Sequence, residues 1–166
     1  EAAVFDFATE ILQTKQVSDS TFAAAKSVFG ERGVVDLIGV ISYYQLVSMH
    51  GSVMIFWVAM PVLIAAFGNY LIPLMIGADD MVFPKINRLS YQIFLISAIV
   101  ILSSFFVEGG AFGGAWTAYP PLSTKAEYSL TPLGSTLWIT AVALEFVAFL
   151  LGGINFIVTA MNARAP

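Results

Sequence analysis

The chain has 166 residues, 58% of them hydrophobic and only 11% charged, with a net charge of −4 and a mean hydropathy of +0.85; a soluble domain usually carries about 25% charged residues, so a lipid environment is expected. The acidic balance and the lack of a Lys/Arg cluster argue against nucleic-acid binding, which needs a basic face to neutralise phosphates. The absence of cysteine removes disulfides, thiolate metal sites and thiol redox chemistry.

Charge is also distributed unevenly. Of the 7 Lys and Arg and 11 Asp and Glu residues, half fall before residue 49, so an amphipathic segment precedes a much more apolar one. EAAVFDFATEILQTK lacks the basic head and apolar core of a signal peptide. The start at Glu1 and the apolar ending NFIVTAMNARAP read as a fragment.

In chain order, Val4, Phe5, Phe7, Ala8, Ile11 and Leu12 recur at mostly three- and four-residue spacing, which predicts a helix over 3–14 with one buried face. Lys15 and Gln16 lead into a turn. Ser18 or Asp19 can cap a second helix over about 20–29, and Gly30 suits its C-terminal end. A third helix starts near Gly33 with VVDLIGVISYYQLVSM and can continue unbroken past His50.

Three later stretches, about 51–77, 89–107 and 134–161, are long enough to span a bilayer, since about 20 apolar residues at a 1.5 Å rise cross its core. Pro61 and Pro73 kink the first, a feature membrane helices tolerate where neighbouring groups satisfy the freed carbonyls. The segment 79–90, with Lys85 and Arg88, and the end, with Arg164, face the cytoplasm by the positive-inside rule, so the 108–133 loop faces outward. His50, Trp116 and Tyr119 then lie at the outer side, and Asp79 and Asp80 at the inner. About 45 Å of helix separates His50 from Asp80, too far for them to form one site.

Several side chains are candidates for chemistry. His50, the only histidine, can ligate haem iron or a transition metal through one ring nitrogen; an interfacial, hydrogen-bonded histidine explains it as well, and no second histidine exists to complete a local copper or zinc site. Asn69, Asp80, Asn87 and Ser90 can order a water chain, or can serve as loop and interhelical polar groups. Glu145, within ITAVALEFVAFLL, must be paired, protonated or wet in a membrane. Trp116 and Tyr119, in a loop rich in Gly and Pro, suit an aromatic belt or a close approach to a flat ligand.

Residues 47–166 closely resemble the haem–copper oxidase family, in the part that forms subunit I of cytochrome c oxidase. The resemblance rests on VSMHGSVMIFWVAMPVL, FGNYLIPLMIGADDMVFPKINRLSYQ, SSFFVEGGAFGGAWTAYPPLS and GGINFIVTAMNARAP, in the family's order. It implies an all-α fold in which a short amphipathic helical segment is followed by three transmembrane helices of a partial oxidase bundle. It implies further that His50 is one axial ligand of a low-spin haem, that Trp116 and Tyr119 lie near the haem propionates, and that Asp80 is the mouth of a proton-uptake channel whose water chain Asn69, Asn87 and Ser90 help to hold. The implied partners are the remaining helices of subunit I, other oxidase subunits, lipid, and cytochrome c or quinol as electron donor. The histidines of the family's copper site are not in this stretch, so copper is not expected to bind it, and oxygen reduction by this stretch alone is not expected. Ala148 and Phe149 stand where many relatives carry small hydroxyl residues, and Glu145 has no assigned counterpart. The implied location is a bacterial plasma membrane or mitochondrial inner membrane, the bacterial one favoured.

TEILQTKQVSDSTFAAAKSVFGERGVVDLIGVISYYQLVSM, within residues 1–48, instead resembles the C-terminal helices of the carboxymuconolactone decarboxylase-like family. It carries none of that family's reactive Cys or His before His50, so no activity follows. On this reading two partial domains, 1–48 and 49–166, join within about 44–50, by gene fusion or, preferably, by an artificial or misassembled junction.

Overall fold

The computed structural model describes residues 1–14, 16–121, 123–124 and 132–165, and among them it is all-helical, with no strand. Helix α1 spans Ala2–Thr14, α2 Asp19–Ser52, α3 Phe67–Ile76, α4 Pro84–Ser103 and α5 Pro132–Asn162. Three stretches of helix, Asp19–Ile76, Pro84–Phe106 and Leu133–Asn162, are long and apolar enough to cross a membrane. Large apolar side chains remain bare along them: Met75 is 82% exposed and Phe106 90%. Such surfaces need lipid or further protein against them.

The spans differ in their limits from the expected 51–77, 89–107 and 134–161. The first is the end of a helical run that begins at Asp19, because nothing between the amphipathic and apolar segments breaks the backbone. The second begins at Pro84, so Lys85 and Arg88 lie in the first turns of α4 rather than in a loop. Proline suits a first helical position, where its missing N–H would have had no partner. Lys15 and residues 125–131 of the expected outer loop lie outside the described residues.

The chain folds as two compact units. One comprises Glu1–Ser52 and Leu102–Trp138, the other Val53–Ile101 and Ile139–Pro166. In the first, Phe7 of α1 is fully buried together with Ala25 and Val34 of α2, and Ile11, Leu37 and Ile41 pack around them. Burying a side chain the size of Phe7 stabilises by about 2–3 kcal/mol, enough to hold a 13-residue helix that is marginal alone. Ser18 caps α2 as expected, its Oγ accepting from Thr21 N–H at 3.4 Å. Glu10 reaches across the turn to accept from Ser18 N–H and Oγ at 3.0 and 3.1 Å. Gly30 does not end the helix but kinks it, at φ 70° and ψ 177°, in a region other residues avoid. The helix resumes at once.

In the second unit the helix widens to π-helical winding over Val53–Ala59 and Pro61–Ala66, on either side of Met60. Pro61 supplies no N–H and crowds the carbonyl one turn back, and a wider turn relieves both problems. The predicted kink at Pro61 is thus a change of winding. Helix α3 ends at Gly77, left-handed at φ 72°, with Pro73 O accepting its N–H.

Candidate functional site

His50 lies in the last turn of α2 with its imidazole exposed, beside the fully buried Met49. It makes no hydrogen bond among the described residues. Trp116 packs over the next turn: a Cβ added to Gly51 would lie 3.3 Å from Trp116 Cδ1. The same unit anchors this helix end through Ser52, whose Oγ accepts from Trp138 Nε1 at 2.9 Å, while the Trp138 ring lies 4.8 Å from that of Phe112. Gln45 Nε2 donates to Ala111 O at 2.8 Å. The loop that carries Trp116 is therefore tied to α2 on both sides of His50. Tyr119 is exposed in that loop. Among the described residues no three His, Cys, Asp or Glu side chains gather closely enough to hold a metal ion.

Within the second unit a cavity of about 650 Å³ is lined by Asn69, Asn87, Ser90 and Glu145, among mainly apolar neighbours. The structure thus brings together three of the four predicted channel residues. Asp80 is not on the lining; it is exposed, and its Oδ1 accepts from Met81 N–H at 2.7 Å. Asn69 Nδ2 donates to Ala65 O, and its buried Oδ1 has no partner among the described residues. Ser90 Oγ donates to Ala148 O at 2.9 Å. A buried acceptor beside an open volume is the arrangement that ordered water satisfies.

Other polar residues in this unit have no role assigned from sequence. Asn155, fully buried in α5, accepts from Phe83 N–H at 3.0 Å and donates to Phe83 O at 3.3 Å. One turn on, Thr159 Oγ1 accepts from Val82 N–H at 3.1 Å. Together they pin the segment that follows Asp80 and leads into α4. Ser97 Oγ accepts from Trp57 Nε1 at 2.8 Å and lies 3.1 Å from Ala141 O and 3.4 Å from Glu145 Oε2. The available signal was the i, i+4 spacing of Asn155 and Thr159, which puts two polar groups on one face of an otherwise apolar helix.

The sequence matches the family model described as cytochrome c and quinol oxidase polypeptide I over residues 7–166. The chain belongs to this family. It is 40% identical over 135 residues to the alternative cytochrome c oxidase subunit 1 of Bradyrhizobium diazoefficiens, a match covering 81% of this chain and 23% of that protein. It is 44% identical over 128 residues to the heme-copper oxidase subunit I+III of Aeropyrum pernix, covering 75% of this chain and 15% of the relative. With cytochrome c oxidase subunit 1 of Thermostichus vulcanus the identity is 42% over 124 residues, covering 75% and 21%. The chain therefore spans less than a quarter of the length of these relatives. Family membership and the three long apolar helices make it an integral membrane segment of an oxidase subunit I. The matched range includes most of residues 1–48, whose likeness to the carboxymuconolactone decarboxylase-like family draws no support from these comparisons.

Proposed function

We propose that this chain is the part of a terminal haem–copper oxidase subunit I that supplies one axial ligand of a low-spin haem and the entrance of a proton-uptake channel. The observation that carries the ligand assignment is the exposed imidazole of His50, with no hydrogen bond among the described residues, beside a helix end fixed by Ser52 and Trp138. That donor set fits half of a haem site: one imidazole nitrogen, with Trp116 packed against the adjacent turn and Tyr119 in the same loop to flank the porphyrin edge. Further ligands to the iron would come from elsewhere in the subunit. When bound, haem supplies one-electron transfer toward oxygen. His50 would hold the haem iron, and the anchored loop would orient the haem.

The channel assignment is supported by Asn69, Asn87 and Ser90 on one cavity wall. Asp80, outside that lining, would collect protons from solvent, and the Asn155 and Thr159 contacts would fix the segment after it. The whole subunit would pass electrons from cytochrome c or quinol to oxygen while pumping protons, together with the other oxidase subunits. We favour the bacterial plasma membrane over the mitochondrial inner membrane. The separate origin of residues 1–48 is a further proposal, tested by reading single DNA molecules across the codons for residues 40–60; reads that never join the two halves establish an assembly junction.

The haem assignment is tested by His50→Ala in the full-length subunit. Loss of the low-spin haem's Soret contribution, with the membrane level of the protein retained, is expected. An unchanged spectrum refutes the assignment and favours a non-catalytic helical membrane module with an interfacial histidine.

A further inference from the structure

Glu145 is the one acidic side chain on the cavity wall, and it is 1% exposed. Among the described residues its Oε1 has no hydrogen-bond partner, and Oε2 meets only Ser97. The hydrogen count at Ser97 limits what that contact can give. A serine hydroxyl has one hydrogen to donate and two lone pairs with which to accept. Trp57 N–H occupies one lone pair, at 2.8 Å, and Ala141 O, at 3.1 Å, is the nearer taker of the single hydrogen. Ser97 Oγ also directs that hydrogen toward Glu145 Oε2, at the longer 3.4 Å, so Oε2 receives at most a weak, shared bond. With a shared bond on one oxygen and none on the other, a buried carboxylate goes largely unsatisfied, which favours the neutral acid.

The charged and titratable groups around the cavity do not offset this. From α4 the lining includes Arg88 and Tyr91, and Arg88 forms no ion pair with Glu145 among the described residues. The lining residues from Pro61–Ala66 and α3 include no titratable side chain. Asn69 lines the same cavity, and its buried Oδ1 likewise has no partner among the described residues. Two free oxygens on one cavity call for water between them.

We infer that Glu145 is a proton-holding group of this cavity: it stands as a neutral acid bonded through Oε2 to Ser97 Oγ, and it exchanges its proton with water held by Asn69, Asn87 and Ser90. The exchange is a proton transfer alone: an O–H bond of the acid breaks as one forms on water, the electron pair stays on the carboxylate, and a hydronium returns the proton. This deepens the channel reading and rests on it for the direction in which protons move.

The test is infrared spectroscopy of the full-length protein in phosphatidylcholine nanodiscs, comparing the native sequence with Glu145→Gln in H2O and D2O. One protonated-carboxyl C=O band is expected to vanish in Glu145→Gln, and the native band is expected to shift in D2O. A carboxyl region unchanged by the substitution, or a band indifferent to D2O, overturns the inference. Ser97→Ala retains the acid but removes its hydrogen-bond partner, and should move the band to higher frequency. If Glu145→Gln does not fold, an unmoved band in Ser97→Ala is the overturning result. Asp80→Asn separates this inference from the entrance assignment. Proton uptake untouched by Asp80→Asn, with the Glu145 band still exchanging, removes the entrance and leaves the proton-holding role; slowed uptake with no exchanging Glu145 band does the reverse.

Discussion

Replacing Asn155 by alanine removes both side-chain bonds to Phe83, at 3.0 and 3.3 Å. Side-chain hydrogen bonds between membrane helices average about 0.6 kcal/mol, so two set a floor near 1 kcal/mol. A buried backbone group left unsatisfied costs about 1–3 kcal/mol. Phe83 is 39% exposed, so water reaches part of the freed backbone and the full penalty does not apply to both groups. The Val82 bond to Thr159 survives and keeps the segment close to α5. The expected loss is about 1–3 kcal/mol. Equilibrium unfolding in mixed detergent–SDS micelles, followed by circular dichroism, measures it. A second variant, Thr159→Val, should cost less alone, and the two together should exceed their separate effects because each holds the segment when the other fails. A change below about 0.5 kcal/mol for Asn155→Ala, the range of ordinary surface substitutions, refutes the claim that this clasp holds the segment.

Ser52→Ala leaves Trp138 Nε1–H without its acceptor in a buried site, and should destabilise by about 1–3 kcal/mol and shift tryptophan emission; an unchanged spectrum and midpoint count against the anchor. Gly68→Ala sets a methyl 2.8 Å from Phe156 Cζ, so the ring must swing toward the cavity it lines; a cost of about 1 kcal/mol is expected, and a Gly68→Ala protein as stable as the parent shows a ring that moves freely. The Thr21 hydroxyl, then the hydroxyl and backbone N–H of Ser18, hold the exposed Glu10 carboxylate below its ordinary value of 4.5. A depressed folded value means stability present above 4.5 and lost as pH falls through the folded value. Melting of the α1–α2 pair should therefore become pH-dependent in the acid range, and Glu10→Gln should flatten that dependence; equal slopes in both proteins refute it.

Much of the secondary structure was legible from spacing alone. The α1 periodicity, the Ser18 cap and the three apolar runs each follow from local chemistry: a face to bury, an N–H to satisfy, a length to cross lipid. Asn69, Asn87 and Ser90 also stood out, being polar groups in or beside apolar runs. Span limits were less legible, because Pro84 starts a helix as readily as it ends one and the Gly30 kink does not stop α2. Asn155, Thr159 and Ser97 were missed because a small polar residue in an apolar helix, even with a second one turn away, looks the same whether it clasps a neighbour or satisfies its own backbone.

By itself the sequence determined the all-helical, membrane-spanning character and the family, since apolar length and the four motif blocks are properties of order along the chain. Only tertiary structure decided which polar groups share a wall. Asn69 and Glu145 stand 76 positions apart, yet they line one cavity while Asp80, much nearer in sequence to Asn69, does not. Side-chain direction sets that outcome, and direction depends on the winding around Pro61, the cap at Gly77 and the clasp at Phe83, none of which a count of residues along the chain can supply.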